Sequence, residues 1–161
     1  MSLLEQADGG RARRLFGIVV DKSTSDAISC GEDISFGKET LTTDTHHLSI
    51  HPMLLKLVSQ IDDGTSLVLE PLEILAVHLA SLVEPGGLWI ALSYSSHRFP
   101  FLTVKENGED KTRRDGPKLL DASRFWEVEK VEQVDALSGG NVYAPTVQHH
   151  LYMLRRTDVP A

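Results

Sequence analysis

Apolar residues along the chain fall into short runs separated by polar or breaker-rich stretches. Residues 15–21, LFGIVVD, are nearly continuous in apolar character through Ile18, Val19 and Val20. That is the pattern of a short strand buried on both faces. Polarity returns abruptly at Asp21-Lys22-Ser23-Thr24 and ends it. Residues 53–61 set Leu54, Leu57, Val58 and Ile61 at helical spacing, and Asp62-Asp63-Gly64 closes that helix. A second helix starts at Pro71, a residue suited to the first helical position. Leu72, Leu75, Ala76, Leu79, Leu82 and Val83 form its apolar face, and Glu84-Pro85-Gly86-Gly87 is expected to stop it. Residues 88–95, LWIALSYS, then read as another buried strand. Helix, PGG turn and apolar strand make the αβ half of a parallel-sheet unit.

The remaining stretches are less regular. Residues 29–52 read as loop, with one short helix following Ser25 or Asp26. Residues 103–118 are charged and rich in breakers, as in a solvated loop. WEVEKVEQVDAL, from Trp126, alternates with one slip and so predicts a bulged strand. Residues 147–157 predict a terminal strand, reached through a turn at Gly139-Gly140-Asn141 and Pro145. No internal repeat is present.

Composition narrows the setting. A chain of 161 residues, 41% hydrophobic and 24% charged, is long enough to bury one core without metal or disulfide. The net charge of -7 argues against a general affinity for nucleic acid or anionic membrane and is compatible with a basic protein partner. No run reaches the roughly 18–20 apolar residues of a membrane span. The first residues do not read as a secretory signal, so a cytoplasmic location is expected. Cys30 is the one cysteine, a small structural residue suited to a reducing compartment.

Candidate chemistry begins at Asp21, because ligands gather at the carboxyl ends of strands in open α/β sheets. His46, His47 and His51 have the spacing of a helical metal pair plus one. Thr42, Thr43, Asp44 and Pro52 break any regular helix there, and no HExxH motif is present, so no metal is expected. His149 and His150 fall on opposite faces of a strand and cannot share one ion. Arg113-Arg114 is balanced by Glu109, Asp110 and Asp115 and does not indicate nucleic-acid binding.

Four segments carry a further signal. DKSTSDAI at 21–28 is followed by LVEPGGLWIALSYS at 82–95, His97-Arg98-Phe99, and HHLYMLRR at 149–156. In this order they resemble segments of a group of methyltransferase-like protein-lysine methyltransferases, which includes enzymes that modify translation elongation factor 1-alpha. The first resembles that group's DKGT-x-DA(I/L) stretch, and the second its helix, PGG turn and fifth strand. The others resemble the segment after that strand and the group's final strand. Ser23 stands where the group has glycine, which is expected to alter the backbone path beside the acceptor.

The resemblance implies an α/β fold, the C-terminal half of a Rossmann-like seven-stranded sheet, mostly parallel with an antiparallel final strand. The strand for residues 15–21 should lie parallel to and beside that for 88–95. The cofactor implied is S-adenosylmethionine, and the reaction is transfer of its methyl group to a lysine nitrogen of a protein such as a translation elongation factor. Asp21 and Lys22 would act near the transferred methyl, with Asp21 also part of a partial cofactor site. His97, Arg98, Phe99 and Trp126 would line the acceptor side. Plainer roles compete with these: helix capping for Asp21, a solvent-facing strand end for Lys22, and core or strand surface for Trp126. Gly9-Gly10 follows no strand and precedes Arg11-Ala12-Arg13-Arg14, so it is not the group's glycine-rich cofactor loop. The chain alone is therefore expected to bind the cofactor weakly or not at all. The alternatives left open are an inactive half-domain serving as an interaction module and a small-molecule methyltransferase. Without the group's first strand, the strand at 15–21 becomes an apolar edge, so self-association through it is expected.

Overall fold

The computed structural model describes residues 15–38, 51–102, 120–135 and 148–161. The stretch 103–118, the turn at 139–145, and His46 and His47 lie outside them. In chain order the elements are β1 (Phe16–Lys22), α1 (Thr24–Ile28), β2 (Ile34–Gly37), α2 (Pro52–Gln60), β3 (Ser66–Leu69), α3 (Pro71–Ala80) and β4 (Val83–Ser93). A short 3-10 turn (Ala122–Arg124), β5 (Trp126–Asp135) and β6 (Gln148–Arg156) follow.

The architecture is mixed α/β. A four-stranded sheet runs β1-β4-β6-β5, and β2 and β3 form a separate antiparallel pair. β1 and β4 are parallel neighbours, with Val19 opposite Trp89 and Asp21 opposite Ala91. The terminal strand β6 inserts antiparallel between β4 and β5. One pairing of this sheet is parallel and two are antiparallel. The crossover from β1 to β4 contains α3, as the PGG-strand pattern requires, and also α1, α2 and the small sheet. The slip anticipated in β5 falls between Val128 and Lys130.

Several expectations need correction. Residues 34–37, read as loop, form β2, and their partner β3 has the alternating burial of a half-covered strand. The short helix begins at Thr24, ahead of Ser25. Helix α3 ends at Ala80, so Leu82 and Val83 are not on its face. The N–H groups of Ser81 and Leu82 bond back to the carbonyls of His78 and Leu79, and the chain then turns directly into β4. Glu84-Pro85-Gly86-Gly87 is therefore a bulge inside a strand. The register passes from Phe16 opposite Val83 to Ile18 opposite Leu88. Gly86 takes a left-handed φ of 81°, and a Cβ on Gly87 would lie 2.8 Å from the Gly17 carbonyl oxygen. Only glycine fits such a path.

β1 is also not buried on both faces. Val19 packs on the core, but Ile18 and Val20 are 57% and 73% exposed. The core lies on the other face, where Trp89, Ala91, Tyr152 and Leu154 meet Leu72, Ala76, Val77 and Ala80 of α3. Two side chains tie the last turns of α3 to the strands. Trp126 donates from Nε1 to the Ala76 carbonyl at 2.9 Å, and Arg156 donates from Nε to the Ala80 carbonyl at 2.9 Å. The second bond satisfies a carbonyl that the helix end leaves open.

α2 starts with a histidine cap. Nδ1 of His51 accepts the Met53 N–H at 3.2 Å, and the two rings of His51 and His78 meet edge-on at 5.3 Å. Burial pushes His78 below the usual histidine range. A histidine depressed in the fold binds fewer protons there than in the unfolded chain, so its contribution is complete above its unfolded pKa and lost as the pH falls below it. The urea midpoint should therefore drop between about pH 7.5 and about pH 5.5, and His78→Gln should flatten that drop. Equal pH dependence in the two chains would contradict this assignment.

Candidate functional site

Parallel pairing brings the carboxyl ends of β1 and β4 side by side, with Lys22 opposite Leu92. Chain that leaves one strand end therefore meets chain that leaves the other. After Lys22 the backbone makes a sharp turn through Ser23, whose φ of 62° and ψ of 8° are left-handed. Glycine enters that region at no steric cost, whereas other residues pay about 1–2 kcal/mol. Ser23 thus holds a backbone conformation that glycine would adopt without strain.

Asp21 is 7% exposed and faces into this turn. Its Oδ1 accepts the Thr24 N–H at 2.7 Å and its Oδ2 the Ser25 N–H at 3.0 Å. Both carboxylate oxygens are thus committed to the open amides at the start of α1. The arrangement is the capping role named above as the competitor to catalysis. Lys22, next along, is exposed at the strand end.

The centre of the site is a residue the sequence reading passed over. Asp26, on α1, pairs through Oδ1 with Nη2 of Arg98 at 2.7 Å, and the side chains are only 14% and 17% exposed. The same carboxylate accepts from Ser93 Oγ at 2.5 Å and from the Tyr94 N–H at 3.1 Å. Arg98 also donates from Nε to Ser93 Oγ at 3.2 Å and from Nη1 to Ser29 Oγ. Its backbone N–H meets the Tyr152 hydroxyl at 3.2 Å, and that hydroxyl donates to the Ser95 carbonyl at 2.8 Å. Burial pushes the Tyr152 phenol above its usual range, which keeps the donor protonated. α1, the end of β4, the 94–98 segment and β6 are joined in one network.

Of the residues expected on the acceptor side, His97 alone is exposed, with its Nδ1 at 2.8 Å from Ser96 Oγ. Arg98 is turned inward onto Asp26. Phe99 is 5% exposed and packs at 4.9 Å from the Trp89 ring. Trp126 is 1% exposed, 5.4 Å from Trp89 on another side, and is a core residue. Its place as first residue of β5, just after the Ala122–Arg124 turn, points the indole under α3. The geometry therefore gathers Asp21, Lys22, Asp26, Ser93, His97 and Arg98 at one end of the sheet and leaves Phe99 and Trp126 in the interior. The signal for Asp26 was present: it is the aspartate of the DA pair in DKSTSDAI.

Asp21 is 7% exposed and each of its oxygens already accepts an amide, from Thr24 or Ser25, so little of the carboxylate is open to a cofactor. The described residues offer an exposed cation, Lys22, and an exposed imidazole, His97, on either strand end. Among the described residues no group of three or more His, Cys, Asp or Glu could hold a metal ion, and no helix is long and apolar enough to cross a membrane. Cys30 is exposed. No family model, curated protein or solved structure matches this chain.

Two substitutions check the turn. Ser23 makes no side-chain cap bond, so Ser23→Gly should relieve the left-handed backbone and, after the cost of a freer unfolded chain, raise stability by about 0.5–1 kcal/mol, seen as a higher melting temperature. An unchanged or lower value would show that the turn is not left-handed. Asp21→Ala should remove both cap bonds and lower stability by about 1–2 kcal/mol in urea unfolding. A neutral effect would detach Asp21 from α1.

Proposed function

We propose that the chain carries the C-terminal half of a class I, S-adenosylmethionine-dependent methyltransferase domain acting on a lysine of a protein substrate such as a translation elongation factor. The observation that carries this reading is the Asp26–Arg98 ion pair. It joins DKSTSDAI to His97-Arg98-Phe99, two of the segments on which the resemblance rests, at the carboxyl ends of a parallel strand pair. Ser23 adds support, since it stands where the group has glycine and holds a left-handed backbone, the region glycine enters most readily. A parallel β1–β4 pair and an antiparallel final strand are also what the resemblance implies.

On this reading the network holds the strand ends rigid, and rigidity is what positioning chemistry needs. Asp26 and Arg98 position the 94–98 segment, and Lys22 and His97 face the ligands. Asp21 holds α1 in place and takes no part in proton transfer. The cofactor, when bound, supplies the activated methyl group. A second reading, an inactive half-domain used for interaction, draws on the internal commitment of Asp21 and Arg98 and the burial of Phe99 and Trp126.

Amide chemical-shift mapping with S-adenosylmethionine separates the two. The methyltransferase reading expects shifts confined to residues 21–25 and 93–98, with a dissociation constant of roughly 1 mM or weaker. No movement in those stretches at saturating cofactor would favour the interaction module. Micromolar binding would overturn the half-site account.

A further inference from the structure

Among the described residues, β1 lies at one end of the strand order and is hydrogen-bonded to β4 alone. The main-chain groups along its other side are a template for another strand. Phe16, Ile18 and Val20 are 56%, 57% and 73% exposed, so one face of the same strand also bares a row of apolar side chains. Edge strands are ordinarily blunted by proline, lysine or a bulge that bends them away. β1 has no proline, Asp21 is buried beneath α1, and its one exposed charge, Lys22, stands at the last position of the strand.

We propose that β1 pairs antiparallel with β1 of a second copy of this chain, about a two-fold axis through Val19. The strand is its own complement. A two-fold at the middle of its seven residues pairs the whole of Phe16–Lys22 with its own reverse. On the open face it sets Ile18 across from Val20 of the second copy. It also sets the exposed Phe16 ring across from Lys22 of the second copy, a cation over an aromatic face. A foreign strand could satisfy the main chain, but it would need its own cation at the place where Lys22 stands. Val19, half-buried on the core face, is not the position to probe, whereas Ile18 and Val20 are. The inference rests on the edge alone and holds whether or not the chain transfers methyl groups.

Sedimentation velocity on the full chain is the test. The natural chain should sediment as a dimer. Ile18→Lys with Val20→Lys, and separately Ile18→Glu with Val20→Glu, should each give a monomer with unchanged far-ultraviolet circular dichroism. An equimolar mixture of the two variants should restore the dimer, because lysines then face glutamates. A natural chain that stays monomeric at every concentration, as expected if the edge serves another protein's strand, overturns the proposal. So does a dimer that survives in both variants, or a mixture that stays monomeric. Should a variant fail to fold, amide exchange on the natural chain decides: protection of residues 16–22 must rise with concentration, and constant protection overturns the pairing.

Discussion

The part-buried ion pair between Asp26 and Arg98 is the contact on which the carboxyl end of the β1–β4 pair depends. Parallel pairing of β1 with β4 aligns two strand ends but does not fix the chain that leaves them. Asp26 does so, by accepting from Ser93 and Tyr94 at the end of β4 while its own helix is held to β1 through Asp21. Arg98 closes the arrangement by bending the 94–98 segment back over α1, and Tyr152 anchors that segment to β6. A charge this enclosed is expensive without its partner, so the segment has one favourable position.

Much of the fold was legible because burial and periodicity agreed. The runs at 15–21 and 88–95 are strands, the spacing at 53–61 is a helix, and the slip near Val128 is a bulge. The errors have physical causes. Leu82 and Val83 extend the apolar spacing of α3 although the helix has ended, because an apolar residue entering a buried strand continues the same pattern. Gly86 and Gly87 signalled a helix stop, yet a helix cap and a strand bulge both call for left-handed backbone. β2 is four residues long, too short for its pattern to rise above a loop.

The site was legible in its address and not in its assignments. Asp21 was rightly placed at a strand end, but the sequence does not show that its two oxygens bond the Thr24 and Ser25 amides. Trp126 opens an alternating strand, and nothing in that pattern tells which side of the sheet holds α3. Asp26 went unnoticed because its partner lies far along the chain, and an ion pair between distant residues leaves no local mark. The same one-sidedness explains β1. A run of apolar residues records that both faces repel water, and it does not record whether both are covered.

The central claim is that Asp26 and Arg98 act as one unit, and a double-mutant cycle measures that directly. Asp26→Asn, Arg98→Gln and the double variant would be compared by urea unfolding. The pair as described should give a coupling energy of about 1 kcal/mol or more, because either single change leaves a part-buried charge without its partner. Additivity to within about 0.5 kcal/mol would mean that the two side chains do not hold the strand ends together.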